Sequence, residues 1–236
     1  MRRSGDRSLG IRNTAVVVAV FRCALSTGAQ QALPTPAPAV VEVYRDSLRS
    51  GASLGDYRKH ADSAAGLCRT WICPHPYLGV ETLSGNPEVW FLNFFPSWDD
   101  TSRVKSLYAA KPELSQRLGR AVASNSALVV GSNVFVQLEQ TSATRWALLG
   151  SRFVIVARPG SRTIVSSAFY RAPAGASFSF IFVRTRHAAD SAAKSIGPSA
   201  RVFAIRPHWS QPDPSWLRAD PAFWGEWPSA LPTGNP

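Results

Sequence analysis

From Val40 onward, stretches with the two-residue period of a strand alternate with stretches of three- and four-residue helical spacing. Residues 40–44 are rich in β-branched and aromatic side chains and predict a strand, broken by Ser50-Gly51-Ala52-Ser53. Leu54, Tyr57, Ala61, Ala64, Ala65 and Leu67 then share one helical face, with Arg58, Lys59 and Asp62 on the wet side. Cys73-Pro74-His75-Pro76 cannot continue that helix, because proline lacks an N–H and restricts the residue before it. Residues 77–83 and 89–95, joined by Ser84-Gly85-Asn86-Pro87, predict a β-hairpin. Ser97 or Asp99 caps a helix to about residue 110, and Pro112 opens another over 113–125. Residues 133–138 predict a further strand.

That order, strand-helix-strand-strand-helix-helix-strand, is the βαββαβ plan of a ferredoxin-like module. Helices cover one face of such a sheet, so its other face needs a second layer. The remaining chain is β-rich. Strands are expected over 152–156, 164–170, 178–183 and 201–205. Ala172-Pro173-Ala174-Gly175 makes a turn, and Gly197-Pro198 ends a short helix over 187–196. No exact repeat occurs, and a degenerate repeat of the first part is only one way to read the second. Trp209, Trp216, Phe223, Trp224 and Trp227 form an irregular aromatic tail expected to cover the sheet. The expectation is an α+β fold, with a ferredoxin-like module over 40–140 packed on a smaller β-rich module over 150–236. Together they form an α+β-barrel-like core, closed within one chain or across a homodimer.

The start of the chain changes the expected compartment. Four arginines, the apolar run Ala15-Val16-Val17-Val18-Ala19-Val20-Phe21 and the small residues Ser26-Thr27-Gly28-Ala29 follow the order of a signal peptide over 1–29. Arg22 interrupts the apolar core of that match. A Pro/Ala linker over 30–39 follows, and the mature protein is expected to be periplasmic or secreted. No stretch reaches the roughly 20 apolar residues of a membrane-spanning helix.

The net charge of +11 is unevenly held. Residues 1–33 carry five arginines against one aspartate, residues 34–151 eleven basic against ten acidic groups, and residues 152–236 ten against four. The C-terminal arginines are scattered among strands and turns, so they lack the clustered face that nucleic-acid binding needs. With Cys23 in the leader, Cys68 and Cys73 remain as a pair that an oxidising compartment would join in a disulfide. His60, Cys68, Cys73 and His75 are zinc-type ligands, but their spacing is not a standard one and the disulfide is preferred, so no metal site is expected. Val130-Gly131-Ser132-Asn133 lacks the second glycine of a nucleophile elbow, and no Gly-rich phosphate loop or other cofactor motif occurs. Asp99-Asp100 reads as a helix cap.

Val43-Tyr44-Arg45-Asp46, Pro76-Tyr77-Leu78-Gly79 and Glu88-Val89-Trp90-Phe91-Leu92-Asn93 resemble dimeric α+β-barrel proteins, among them the antibiotic-biosynthesis-type monooxygenases and NIPSNAP-like proteins. The likeness covers about residues 40–138 and is most like exported bacterial proteins of that kind; residues 202–209 look like part of the same group. It implies chiefly a fold, which hosts enzymes and binders alike. In the monooxygenases, an apolar pocket between helices and sheet uses polar residues such as Asn, Trp and His to hold substrate or haem.

On that pattern, His75, Tyr77, Trp90 and Asn93 are candidate pocket residues, although Trp90 and Asn93 have opposite parity on their strand and so face opposite ways. Arg206 and His208, near the end of the last strand, are the C-terminal candidates. The expected function is non-catalytic binding of a small molecule, or a structural role, in the cell envelope. The alternatives are a cofactor-free or haem-linked monooxygenase, and a carbohydrate binder using the tail tryptophans. An oxygenase needs an enclosed pocket with convergent polar groups, and a sugar binder needs exposed tail tryptophans.

Overall fold

Strand β1 (Val40–Ser47) turns Val41 and Val43 to one face and Glu42, Tyr44 and Asp46 to the other, where Glu42 and Asp46 are buried and Tyr44 stays exposed. The computed structural model describes residues 35–71, 73–130, 134–140, 145–146, 148–158, 167–172 and 177–225. The expected leader, the 131–133 segment with Ser132, the 173–176 turn, residues 164–166 and Trp227 lie outside them. After β1 come α1 (Leu54–Trp71), β2 (Tyr77–Thr82), β3 (Glu88–Phe95), α2 (Trp98–Ala109), α3 (Pro112–Ser124) and β4 (Val134–Gln140). The second half adds β5 (Phe153–Ala157), β6 (Ser167–Arg171), β7 (Ser177–Val183), α4 (Arg186–Ile196), β8 (Arg201–Gln211), α5 (Pro214–Ala219) and α6 (Pro221–Trp224).

The eight strands form a closed antiparallel barrel in the order β8-β2-β3-β1-β4-β6-β7-β5, with β5 pairing back onto β8. The first half contributes β2-β3-β1-β4, the ferredoxin-like order. The second contributes β6-β7-β5-β8, the same order with corresponding strands, and α4 sits where α2 and α3 sit in the first. The halves join at β4–β6, through Glu139↔Arg171, and at β8–β2. One chain therefore supplies both sheets of the barrel. Thr35–Pro36 pair with Arg145–Trp146, and the Tyr170 hydroxyl donates to Pro38 O at 2.8 Å, so the end of the Pro/Ala tract runs along the barrel.

The barrel interior takes the large apolar side chains of both halves, including Leu78, Trp90, Leu92, Phe180, Phe182 and Phe203. At one mouth, Glu88 accepts from Arg45 (2.6 and 3.0 Å) and the Trp90 indole (2.8 Å), and pairs with Arg201. Burial alone would raise Glu88, but those donors outweigh it and hold its carboxyl at about 2. At the other mouth, Trp216 of α5 and Trp224 of α6 pack over Phe94. The tail is thus a plug made of two short helices. Trp209, Trp216 and Trp224 are buried, which leaves no exposed tryptophan pair there for stacking a sugar among the described residues.

Strand β8 runs well past its expected end at Ile205. Its register on β2 shifts between Arg206↔Gly79 and Gln211↔Tyr77, and the extra residues fold Trp209 across Gly79. A Cβ at position 79 would meet Trp209 Cβ at 2.6 Å, so only glycine lets the two strands approach there. Pro207 falls inside this bulge, where a missing N–H costs no ladder bond. The other elements lie within a few residues of expectation. Ser97 is the N-cap of α2, accepting from Asp100 N at 3.2 Å, and Asp100 accepts in turn from the Ser97 hydroxyl.

Candidate functional site

Helices α1, α2 and α3 cover the outer face of the first half's sheet without filling the space beneath them. Ala61, Ala64 and Ala65 sit at i, i+3 and i+4 on the face of α1 turned to the sheet, between the larger Tyr57 and Cys68. Three methyl groups cannot reach the strands, and a cavity of about 630 Å³ remains. Its floor is the outer face of β1 and β3, and its roof is completed by Val104 and Tyr108 of α2 and by Leu118 and Val122 of α3. The His60 ring and the Ser124 hydroxyl, 2.9 Å apart, tie α1 to α3 above it. The volume lies in the range of small-molecule sites.

The floor is unusually polar for a helix-covered face. Pairing sets Glu42, Asn93 and Tyr77 in one cross-strand row, and Tyr44 and Phe91 in the next. Glu42 and Asp46 are buried; Lys105 reaches Glu42 at 3.6 Å from the rim. Burial raises the Tyr44 hydroxyl, helped by the Glu42 charge.

At one end stands His75. Cys68 and Cys73 form a disulfide at the end of α1, and Pro74 and Pro76 flank the histidine, so its backbone has little freedom. Its ring stacks on Phe95 at 5.3 Å between centroids. Asn93 donates through Nδ2 to Glu42 O (3.0 Å), so its Oδ1 faces His75 Nε2 at 2.8 Å as an acceptor. That assigns the proton to Nε2. Burial lowers the His75 pKa, against the opposing Asn93 bond and Glu42 charge, and favours the neutral ring. Nδ1 is then an acceptor, and the Tyr108 hydroxyl, 3.4 Å away, donates to it over a long contact. Tyr77 lies beside the ring, 5.9 Å between centroids. Burial also pushes the Tyr77 and Tyr108 hydroxyls up, so both stay protonated donors at neutral pH.

At the other end is Asp46, whose Oδ2 accepts from the Tyr57 hydroxyl. Burial raises its carboxyl, and the Tyr57 bond opposes this. Asn125, just past α3, lines the same end.

The structure thus gathers His75, Tyr77 and Asn93 of the sequence candidates. Trp90 is not with them. It points into the barrel, where its indole serves Glu88, as the parity of its strand requires. Arg206 and His208 are not in the cavity either. They lie on the bulged stretch of β8, where Arg206 pairs with Glu81 at 2.8 Å and the His208 carbonyl accepts from Arg69 at 2.7 Å, fastening β8 to β2 and to α1. Sequence reasoning missed Glu42, Tyr44, Asp46, Tyr108 and Asn125. The signal for the first three was available: polar groups at every second position of one strand, opposite the face of Val41 and Val43.

No family model matches the chain, and no curated protein matches it. Among solved structures, the chain is similar to a provisionally named monooxygenase from Fusobacterium nucleatum subsp. nucleatum, with a TM-score of 0.45 and 6% identity over 72% of this chain and 92% of that one. A second, from Lactobacillus acidophilus NCFM and named in the same way, has a TM-score of 0.45 and 8% identity over 73% of this chain and 93% of the other. Likeness at that level carries nothing about activity, which has to come from the cavity itself.

The half-buried, neutral His75 makes stability depend on pH. Below about 6.5 the unfolded chain takes up a proton that folded His75 resists, so stability falls with pH by up to about 1.4 kcal/mol per unit. Urea denaturation from pH 7 to 5 should show this fall in the wild type and a shallower one in His75→Gln. Equal slopes would contradict a neutral ring.

Proposed function

We propose that the protein binds an apolar small molecule in the cavity between α1, α2, α3 and the sheet. One observation carries this reading: a volume of about 630 Å³ with mostly apolar walls and polar groups gathered at its two ends. In a protein whose barrel interior is filled, alanines at three roof positions forgo packing that larger residues would supply, which is the behaviour of a site kept open.

A second reading, a cofactor-free oxygenase, is favoured by His75. A neutral imidazole with Nε2 bonded to Asn93 keeps Nδ1 as its basic nitrogen, and a bound molecule that displaces the 3.4 Å Tyr108 contact can give it a proton from an acidic position. Haem fits less well: Nε2 is engaged by Asn93 at 2.8 Å, and the Tyr108 hydroxyl stands in front of Nδ1 at 3.4 Å. The two readings separate on whether a ligand is recovered unchanged or oxygenated after incubation in air.

We further propose that the protein works outside the cytoplasm, a reading supported by the leader-like start and by the Cys68–Cys73 disulfide. Recovery of the uncleaved chain from the cytosol alone would overturn it.

The binding reading is tested with phenylnaphthylamine, a neutral apolar dye whose fluorescence rises in dry sites. The dye should bind saturably, and Ala64→Phe, which fills the roof, should weaken it at least about ten-fold. No saturable binding, or binding untouched by Ala64→Phe, would contradict the cavity as the site.

A further inference from the structure

Two residues that line the cavity each carry a buried oxygen with no donor to accept from. Asp46 Oδ1 and Asn125 Oδ1 lack a hydrogen-bond partner among the described residues. Asp46 is 2% exposed and Asn125 6%, and both line the cavity. The backbone brings them to the same end: Val130 N donates to Ser47 O (2.8 Å) and Arg49 N to Leu128 O (2.9 Å), which lays the turn after α3 along the end of β1. A buried acceptor without a donor bears its full desolvation cost, so such atoms mark where something else is to bind.

The charge of the wall says what. Among the lining residues, the carboxylates of Glu42 and Asp46 stand against a single ammonium, Lys105, in a chain whose net charge is +11. Lys105 already pairs with Glu42, at 3.6 Å. Asp46 is left with the Tyr57 hydroxyl on one oxygen, while the other has no donor among the described residues. The burial that raises its carboxyl is what a bound cation would offset.

We propose that this end of the cavity recognises a primary ammonium group, so that the ligand is an apolar amine with its body lying under the α1 alanines towards His75. This deepens the binding reading above and rests on it. An ammonium has three N–H donors, enough for both bare oxygens, and its charge complements Asp46. A hydroxyl offers one hydrogen and no charge. A carboxylate would meet like charge.

Octylamine, octanol and octanoate have the same chain and differ at the head. Titrated calorimetrically into the full chain at neutral pH, octylamine should bind at least about ten-fold more tightly than octanol, with octanoate weakest. Asp46→Asn keeps an acceptor for Tyr57 and should remove that preference, leaving octanol within about two-fold. Asn125→Leu, which does not touch the Tyr57 contact, should weaken octylamine selectively and guards against a folding defect in the first variant. Equal affinity for amine and alcohol, preference for octanoate, or a preference that survives Asp46→Asn would each overturn the proposal. If the neutral dye binds while none of the three probes does, the amine assignment falls and the cavity reading stands. If the dye also fails, the cavity reading falls with it.

Discussion

Barrel closure is the constraint from which the rest follows. Once β5 pairs back onto β8 and β4 meets β6, the sheet has no free edge, and its inner face becomes a dry interior that only side chains can fill. Trp90, Phe94, Phe180, Phe182 and Phe203 do so, while the Glu88 ion pairs close one mouth and Trp216 with Trp224 the other. The outer face of the first half mixes Phe91 and Phe95 with Glu42, Tyr44, Asp46, Tyr77 and Asn93. Helices must still cover that face, and a helix that presents alanines over polar strands leaves a hollow.

The hollow is held in shape by elements around it that have no freedom of their own. The disulfide and two prolines fix His75 at one end. Tyr57 fixes Asp46 at the other, and the Trp209 crossing at Gly79, with Glu81 bridging Arg58 and Arg206, fastens α1 to β2 and β8. The two polar ends differ in kind. The His75 end offers a neutral ring beside a hydroxyl, and the Asp46 end offers a carboxyl and an amide, each with an oxygen unpaired among the described residues.

The hairpin, the amphipathic α1 and the βαββαβ order were legible because each rests on local signals, such as turn residues, helical spacing and a capping serine. His75, Tyr77 and Asn93 could be named from residue type and order. Trp90 could be separated from them by strand parity, and it does face the barrel. Arg206 and His208 were misplaced because Pro207 reads locally as a strand end; only the non-local pairing with Gly79 shows that it sits in a bulge of a longer strand. Asn125 and Tyr108 were out of reach for a similar reason. Nothing near them in the sequence says that their helices lie over the polar face of β1. The second half's likeness to the first became plain only in strand order, which no side-chain pattern records.

The central claim is that a real void lies between α1 and the sheet, lined as described. Crystals of the protein pressurised with xenon test it most directly, because xenon enters dry apolar cavities without any specific ligand chemistry. The account predicts xenon peaks between Ala61, Ala65 and Phe91, and none inside the barrel. Side chains from α1 or α3 filling that space, with no xenon there, would contradict it.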